Sequence, residues 1–171
     1  MKKTTSGFTI IELLVVMIVI GILAAIVIVT YSGAQGRARD ATRQSDTASL
    51  IKALETYYDD NGSYPVPASN WYYTKDATWT TFKTALANNI TTMPSDPKNT
   101  GDPTVAGMFG YAYYSSSTGN NCGRVAGQWY LLVWRFEGNP QTKFTDGSCT
   151  GTNYGDTLYS GNGISYYESV K

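Results

Sequence analysis

The N-terminal part of the chain carries a long apolar run, and the rest of the chain is polar. From Phe8 to Tyr31 there are 24 residues with a single charged side chain, Glu12. As an α-helix rising about 1.5 Å per residue, this run would be roughly 36 Å long, which is enough to cross a bilayer. The pattern therefore predicts a membrane-spanning helix joined to a soluble domain.

The helical pattern continues beyond the apolar run. No proline interrupts residues 30–60, and small or apolar residues recur there at helical spacing. We predict one continuous helix from Phe8 to about Asp59, ended by Asn61 and Gly62. One face of its second half should pack on the globular domain, with the charged side chains mostly off that face. The predicted packing face consists of Ala34, Ala38, Ala41, Ser45, Ala48, Ile51, Leu54 and Tyr58, and the charged residues are Arg37, Arg39, Asp40, Arg43, Asp46, Lys52 and Glu55.

The polar region that follows predicts a short helix and a small sheet. Residues 77–88 form an amphipathic pattern with Trp79, Phe82 and Leu86 on one face. The nearly continuous apolar composition of residues 128–136 predicts a central strand. Further strands are predicted over residues 109–115 and 163–167, with a weaker one over 143–145. The predicted fold is α+β, with a long N-terminal helix packed on a small antiparallel sheet.

The composition excludes most catalytic designs. The chain has 13 Lys and Arg against 13 Asp and Glu, no histidine and two cysteines. These counts exclude a histidine-based triad, zinc sites of the Cys₄ or Cys₂His₂ type, and a strongly basic nucleic-acid binder. We expect no cofactor, no metal and no enzymatic activity, although a carboxylate-based activity is left open. The loop aspartates are interpreted as turn residues rather than Ca²⁺ ligands, and they are Asp96, Asp102, Asp146 and Asp156.

An ordinary secretory signal peptide is one interpretation of the basic N-terminus. The apolar run is longer than the roughly 7–15 residues of a signal peptide, and it contains Glu12. No Ala-x-Ala-like cleavage site follows it either. These features favour a segment that is retained in the mature protein.

The N-terminus resembles the class III signal of type IV pilins and type II secretion pseudopilins. The resemblance is carried by Lys2-Lys3 and by Gly7-Phe8-Thr9-Ile10-Ile11-Glu12 at the start of the apolar run. It implies that a prepilin peptidase cuts between Gly7 and Phe8 on the cytoplasmic side, methylates the new amine of Phe8 and leaves the apolar helix in place. It also implies that Glu12 registers subunits during assembly.

Physical chemistry gives Glu12 a related role. An ionised carboxylate in hydrocarbon costs several kcal/mol unless it is paired. Cleavage would give Phe8 an amine with a reference pKa of about 8. Glu12 of one subunit would then accept a charge-assisted hydrogen bond from the Phe8 amine of the next. The Phe8 amine of the same chain is an alternative partner, and exposure of Glu12 to water at the membrane surface is a third possibility.

A second, less specific resemblance covers the end of the long helix. Residues 50–65, and the turn Pro94-Ser95-Asp96-Pro97, are similar to segments of major pseudopilins and simple pilins. The implied organisation is a leader (1–7), a transmembrane and assembly segment (8–31), an amphipathic half of the helix (32–60) and a globular head domain (61–171).

Two cysteines flank the predicted central strand. A Cys122–Cys149 disulfide would enclose 26 residues, which corresponds to about 3–4 kcal/mol in the chain-entropy model. A redox pair is the alternative, but the spacing is not Cys-x-x-Cys. A structural disulfide, consistent with an oxidising external compartment, is the favoured interpretation.

These observations predict a structural subunit, a major type IV pilin, of a helical cell-surface filament. The alternatives are a pseudopilin of a type II secretion system and a minor tip pilin that acts as a binding module. The implied partners are a prepilin peptidase and N-methyltransferase, other copies of the chain, an inner-membrane assembly platform, and membrane lipid before assembly, with no nucleic acid for a major subunit. The protein would be a single-pass membrane protein with a cytoplasmic leader and an external head, assembled into an extracellular pilus or a periplasmic pseudopilus.

Overall fold

The chain forms two compact units. The computed structural model describes residues 7–68, 71–116, 125–138, 143–146 and 163–171. The first unit runs to Ala38 and the second from Arg39 to Lys171. We call the second unit the head unit, since it contains the C-terminal part of the long helix as well as the head domain.

The first element is helix α1, which runs from Ile10 to Asn61 and confirms the predicted long helix. It ends where the Gly62 N–H donates to the carbonyl oxygen of Tyr58 at 2.7 Å. Gly62 has φ +69°, a left-handed conformation that glycine adopts without steric cost. The Asn61-Gly62 stop signal is therefore confirmed.

The head unit contains a five-stranded sheet. Its strands are β1 (Trp71–Tyr73), β2 (Tyr111–Tyr114), β3 (Trp129–Arg135), β4 (Lys143–Asp146) and β5 (Ile164–Val170), in the spatial order β1-β2-β3-β5-β4. The four predicted strands correspond to β2, β3, β4 and β5, whereas β1 was not predicted. Three neighbouring pairs are antiparallel, but β4 and β5 are parallel. The last strand, β5, lies between β3 and β4, where it runs antiparallel to β3 and parallel to β4.

The sheet is buried on both faces at its centre. On one face, stacked rings cross the strands from Tyr72 through Tyr113 and Tyr130 to Tyr167, with centroids 6.0, 5.8 and 5.9 Å apart. Such aromatic pairs contribute about 0.5–1.5 kcal/mol each beyond their buried area. The other face holds a second cluster, and every residue of β3 is buried. The prediction that this strand is central is confirmed.

A short second helix, α2 (Thr78–Ala85), covers the aromatic face. Trp79, Phe82 and Leu86 are buried in the core, as predicted. The Phe82 ring stacks on Tyr113 with centroids 4.3 Å apart. The amphipathic pattern therefore identified both the helix and its buried face.

The predicted packing face of α1 is partly wrong. Ala34, Ala38, Ala41, Ser45 and Ala48 are exposed, whereas Leu54 is buried as predicted. Ile51 and Tyr58 are half-buried, and the buried residues of the helix are Arg43, Thr47, Leu50, Ala53 and Leu54. The prediction failed because it treated alanines as core residues and charged residues as solvated. Here the helix buries an arginine, which is possible because carboxylates surround it.

Candidate processing and assembly site

The predicted cleavage position lies just before the helix. Gly7 and Phe8 are exposed and precede α1, which begins at Ile10. The Phe8 side chain is 83% exposed, and a Cβ added to Gly7 would meet nothing within 4 Å. Exposed, non-helical backbone of this kind is a preferred site of proteolytic cutting.

Thr9 and Glu12 form a capping box at the start of α1. The Glu12 carboxylate accepts hydrogen bonds from the Thr9 N–H and the Thr9 hydroxyl, both at 2.8 Å, and the Thr9 hydroxyl oxygen accepts one from the Glu12 N–H at 3.3 Å. This reciprocal arrangement satisfies backbone N–H groups that the first helical turn leaves without partners. Thr9 was not among the predicted site residues, although Thr-x-x-Glu before an apolar run is a sequence signal for such a cap.

The helix that follows is apolar on all sides and exposed. Residues Ile10–Val27 have a mean hydropathy of 3.2, none of that segment is buried, and by length and composition it qualifies to cross a membrane. Its 18 residues extend about 27 Å, close to the roughly 30 Å thickness of the hydrocarbon core. A surface of this kind is stable only when lipid or other apolar helices cover it.

Glu12 lies inside this apolar segment. An unpaired carboxylate at such a position is costly, and the bonds to Thr9 meet part of its need for donors. Thr9 is a neutral donor, so the negative charge itself is not balanced by this cap. The predicted counter-charge, the amine of Phe8, would arise only after cleavage, because the Phe8 nitrogen belongs to a peptide bond in the uncut chain.

A group of interacting charged residues lies in the head unit, and this network was not predicted from the sequence. Arg43 is completely buried and binds Asp96 through two hydrogen bonds of 2.6 and 3.1 Å. It also donates to Asp40 at 2.8 Å and to Glu137 at 3.0 Å, and its guanidinium lies 4.8 Å from the centre of the Phe109 ring. One arginine thus joins helix α1 to three separate parts of the head domain.

Further ion pairs complete this group. Glu137 binds Arg39 through two hydrogen bonds of 2.6 and 2.7 Å and Lys98 at 2.9 Å. Asp40 accepts hydrogen bonds from the backbone N–H groups of Glu137 and Gly138, both at 2.9 Å. Three cations and three carboxylates are therefore in contact. We call this set the Arg43 cluster, and its members are Arg39, Asp40, Arg43, Asp96, Lys98 and Glu137.

The ionisation of the Arg43 cluster follows from these contacts. The hydrogen bonds from Arg39, with those from Lys98 and Arg43, lower the pKa of Glu137 to about 2 despite its partial burial. Burial alone would lower the pKa of Arg43, but its bonds to Asp96, Glu137 and Asp40 outweigh that effect and raise the pKa. Arg43 and Glu137 therefore stay charged at neutral pH, and the cluster joins the loops around Asp96 and Glu137 to the helix.

The remaining predicted residues are the loop aspartates and the two cysteines. Asp146 was predicted to be a turn residue, and this was wrong because it is the last residue of strand β4. Asp96 accepts hydrogen bonds from Arg43 and from the backbone N–H groups of Lys98 and Asn99. Asp102 accepts from Thr104 in a turn. Among the residues that the structure describes, no three potential ligands converge on a metal position. Cys122, Cys149 and Asp156 fall outside the described residues, so the disulfide stays a prediction.

Comparison with known proteins identifies the N-terminal segment. The family described as the prokaryotic N-terminal methylation motif matches residues 2–28. The chain is 39% identical over 64 residues to the type II secretion system core protein G of Aeromonas hydrophila, which covers 37% of this chain and 45% of that protein. The corresponding protein of Pseudomonas aeruginosa is 36% identical over 64 residues, with the same two coverages.

A protein named as a pilus component has a similar identity to this chain. The type IV wide pilus major component PilA4 of Thermus thermophilus is 40% identical over 62 residues, covering 36% of this chain and 47% of that protein. The chain thus spans less than half the length of these curated relatives. No solved structure matches it significantly.

Proposed function

We propose that this chain is a member of the type IV pilin and type II secretion pseudopilin family, which is supported by its N-terminal segment, and that it is the major pilin of a helical cell-surface filament. The apolar part of α1 holds the subunit in the membrane before assembly and packs against the same segment of other copies afterwards. The role is structural rather than enzymatic.

The observation that carries this proposal is an exposed apolar helix with a carboxylate near its start. A simple membrane anchor needs only lipid around residues 10–27. An anchor gains nothing from Glu12, because a charge in hydrocarbon weakens insertion. In a bundle of identical helices, however, the carboxylate finds a cationic partner, the processed amine of a neighbouring Phe8. Glu12 therefore favours a polymer over an anchor.

Assembly then requires an exchange of partners at Glu12. In the uncut chain its carboxylate accepts hydrogen bonds from Thr9. In the filament it would accept a charge-assisted bond from the methylated amine of Phe8 in the next subunit, and such bonds are about twice as strong as neutral ones. That difference fixes the axial position of one subunit relative to the next.

The proposed function implies specific partners and a topology. A prepilin peptidase and N-methyltransferase would act at the bond between Gly7 and Phe8, which is supported by the exposure of both residues outside the helix. An assembly platform in the inner membrane would extract the subunit from the lipid. The leader would lie on the cytoplasmic side and the head outside.

A pseudopilin of a type II secretion system is the second candidate. It is supported by the matches to proteins named type II secretion system core protein G. The matched segment is common to pilins and pseudopilins, so it does not distinguish between the two functions. The distinction depends on the head and has to be made by experiment. Surface fibres that can be sheared from cells at normal expression support the pilin, whereas restored secretion in a strain that lacks its own core protein G supports the pseudopilin.

Replacing Glu12 by glutamine tests the proposed function. In cells that contain a prepilin peptidase and assembly machinery, E12Q should still be cut before Phe8. Its yield of sheared fibres should fall on the order of tenfold or more, because a hydrogen bond to a charged group contributes about 1.5–3 kcal/mol. The matched control is D59N, which neutralises an exposed carboxylate near the far end of the same helix and should assemble normally. Normal fibre yield from E12Q would refute the proposed role of Glu12.

A further inference from the structure

The far end of the apolar segment carries an exposed aromatic ring and, shortly after it, an exposed cation. Tyr31 is 64% exposed, and Arg37 is exposed on the same helix six residues later. Tyrosine rings concentrate at the boundary between hydrocarbon and headgroups, and guanidinium groups match the geometry of phosphate. This end of the segment therefore has two side chains that suit a membrane interface.

The Arg37 side chain runs back along the helix toward the apolar segment. A Cβ added to Gly33, one turn earlier, would lie 3.8 Å from the Nη1 atom of Arg37. This direction is the usual one, because helical side chains point toward the N-terminus of their helix. The guanidinium therefore lies at the level of Gly33, only about 3 Å along the axis beyond Tyr31.

The spacing between this level and Glu12 matches the thickness of a membrane. Tyr31 and Glu12 are 19 residues apart, which corresponds to roughly 28 Å along the helix axis. The hydrocarbon core of a bilayer is roughly 30 Å thick. When Tyr31 lies at one boundary, Glu12 therefore lies at the other, and not at the bilayer centre, where a carboxylate is most costly.

The two arginines that follow Arg37 are bound within the head unit. Arg39 binds Glu137 through hydrogen bonds of 2.6 and 2.7 Å, and Arg43 binds Asp96 at 2.6 Å. Arg37, in contrast, forms no ion pair with any residue that the structure describes. An exposed guanidinium of this kind can donate two parallel N–H bonds to a phosphate group.

We propose that Arg37 binds the phosphate of an anionic phospholipid in the external leaflet and so holds the unassembled subunit at a fixed depth. This inference rests on the proposed function, which places residues 8–31 across the membrane with the head outside. The lipid is anionic because a zwitterionic headgroup carries its own cation beside the phosphate. Release of this lipid is then one of the steps by which the subunit is extracted into a filament.

A photo-crosslinking amino acid in place of Ala34 reports which lipid lies beside Arg37. Ala34 is exposed, and it lies on the same face of the helix because it precedes Arg37 by three residues. The full chain is reconstituted in vesicles that contain equal amounts of phosphatidylglycerol and phosphatidylcholine, and the crosslinked lipids are identified by mass spectrometry. With Arg37 intact, phosphatidylglycerol should be crosslinked in about fivefold excess, the preference that one arginine near an anionic surface supports.

Two substitutions and a competing anion make the test specific. R37Q should crosslink both lipids equally, whereas K52Q, which removes an exposed cation further along the same helix, should keep the excess. An excess of inorganic phosphate at constant ionic strength should not change the preference, and its loss would indicate a general anion site instead of a lipid site.

Three other results would overturn the inference. They are equal crosslinking of both lipids with Arg37 intact, an unchanged preference in R37Q, and crosslinks to a second copy of the chain in place of lipid. Because the measurement uses unassembled subunits, it does not depend on filament formation. Absence of fibres from cells would contradict the proposed function and would leave the lipid contact at Arg37 unaffected.

Discussion

Replacing Arg43 by methionine should destabilise the head unit by about 3 kcal/mol. Methionine retains much of the apolar volume of the side chain but removes the charge that balances the buried carboxylates. Removal of one partner from a buried ion pair typically costs about 3–5 kcal/mol, because it leaves the other charge buried and unpaired.

The structure places the expected cost at the lower end of that range. Asp40 and Glu137 keep other partners in R43M, since Asp40 accepts from two backbone N–H groups and Glu137 binds Arg39 and Lys98. Asp96 is affected most, because its side chain is completely buried and Arg43 is its cationic partner. Within the described parts of the chain, the donors that Asp96 then retains are the backbone N–H groups of Lys98 and Asn99.

The measurement is equilibrium unfolding of the full chain in detergent. All four tryptophans lie in the head unit, so their fluorescence reports its unfolding by urea. A double-mutant cycle with D96N isolates the pair, and we expect a coupling energy of about 1.5–3 kcal/mol, the contribution of a hydrogen bond to a charged group.

Lys52 supplies a matched control on the same helix. It is exposed, and K52M should change the free energy of unfolding by no more than about 0.5 kcal/mol. If R43M costs less than about 1 kcal/mol, or if R43M and D96N are additive within about 0.5 kcal/mol, the Arg43 cluster does not stabilise the head unit as argued.

Three further predictions concern the head. The pKa of Glu137 is lowered from 4.5 to about 2 in the folded protein. Glu137 therefore contributes its full stabilisation above pH 4.5, and this contribution is lost as the pH falls toward 2. The free energy of unfolding of E137Q should consequently depend less on pH in this acidic range than that of the wild type. F82A should cost about 3–5 kcal/mol because it leaves a cavity beneath Tyr113, and a urea midpoint near that of wild type would contradict this packing. Alkylation without reductant should find no free thiol at Cys122 or Cys149, and the C122S/C149S variant should lose about 3–4 kcal/mol of stability.

Much of the fold could be predicted from local patterns in the sequence. The long helix follows from uninterrupted helical spacing and a glycine stop, and both were confirmed at Asn61 and Gly62. The central strand follows from a run of apolar residues that is buried on both faces in the structure. Strand β1 was missed because three residues are too few to show a periodic pattern.

The buried face of α1 could not be predicted because it depends on residues far away in the sequence. Arg43 is buried beside Asp96 and Glu137, which lie 53 and 94 positions further along the chain. Local periodicity predicts that a charged residue is exposed and that an alanine is buried. In this helix the tertiary contacts produce the opposite arrangement. The parallel pairing of β4 with β5 depends in the same way on the final position of the last strand.

The N-terminal site was predictable in part. Gly7, Phe8 and Glu12 were identified through the resemblance of the N-terminus to the class III signal, and their proposed roles await experiment. The hydrogen bonds between Thr9 and Glu12 show how the carboxylate is held in the uncut chain. What the sequence did not reveal was that a neutral donor, rather than a cation, holds Glu12 before processing.

The intact mass of the protein recovered from sheared fibres or from its native membrane tests the central claim most directly. The account predicts loss of residues 1–7 and addition of one methyl group at Phe8. An uncut N-terminus in assembled material, or a cut beyond Val29 that removes the apolar segment, would contradict the assignment as a filament subunit.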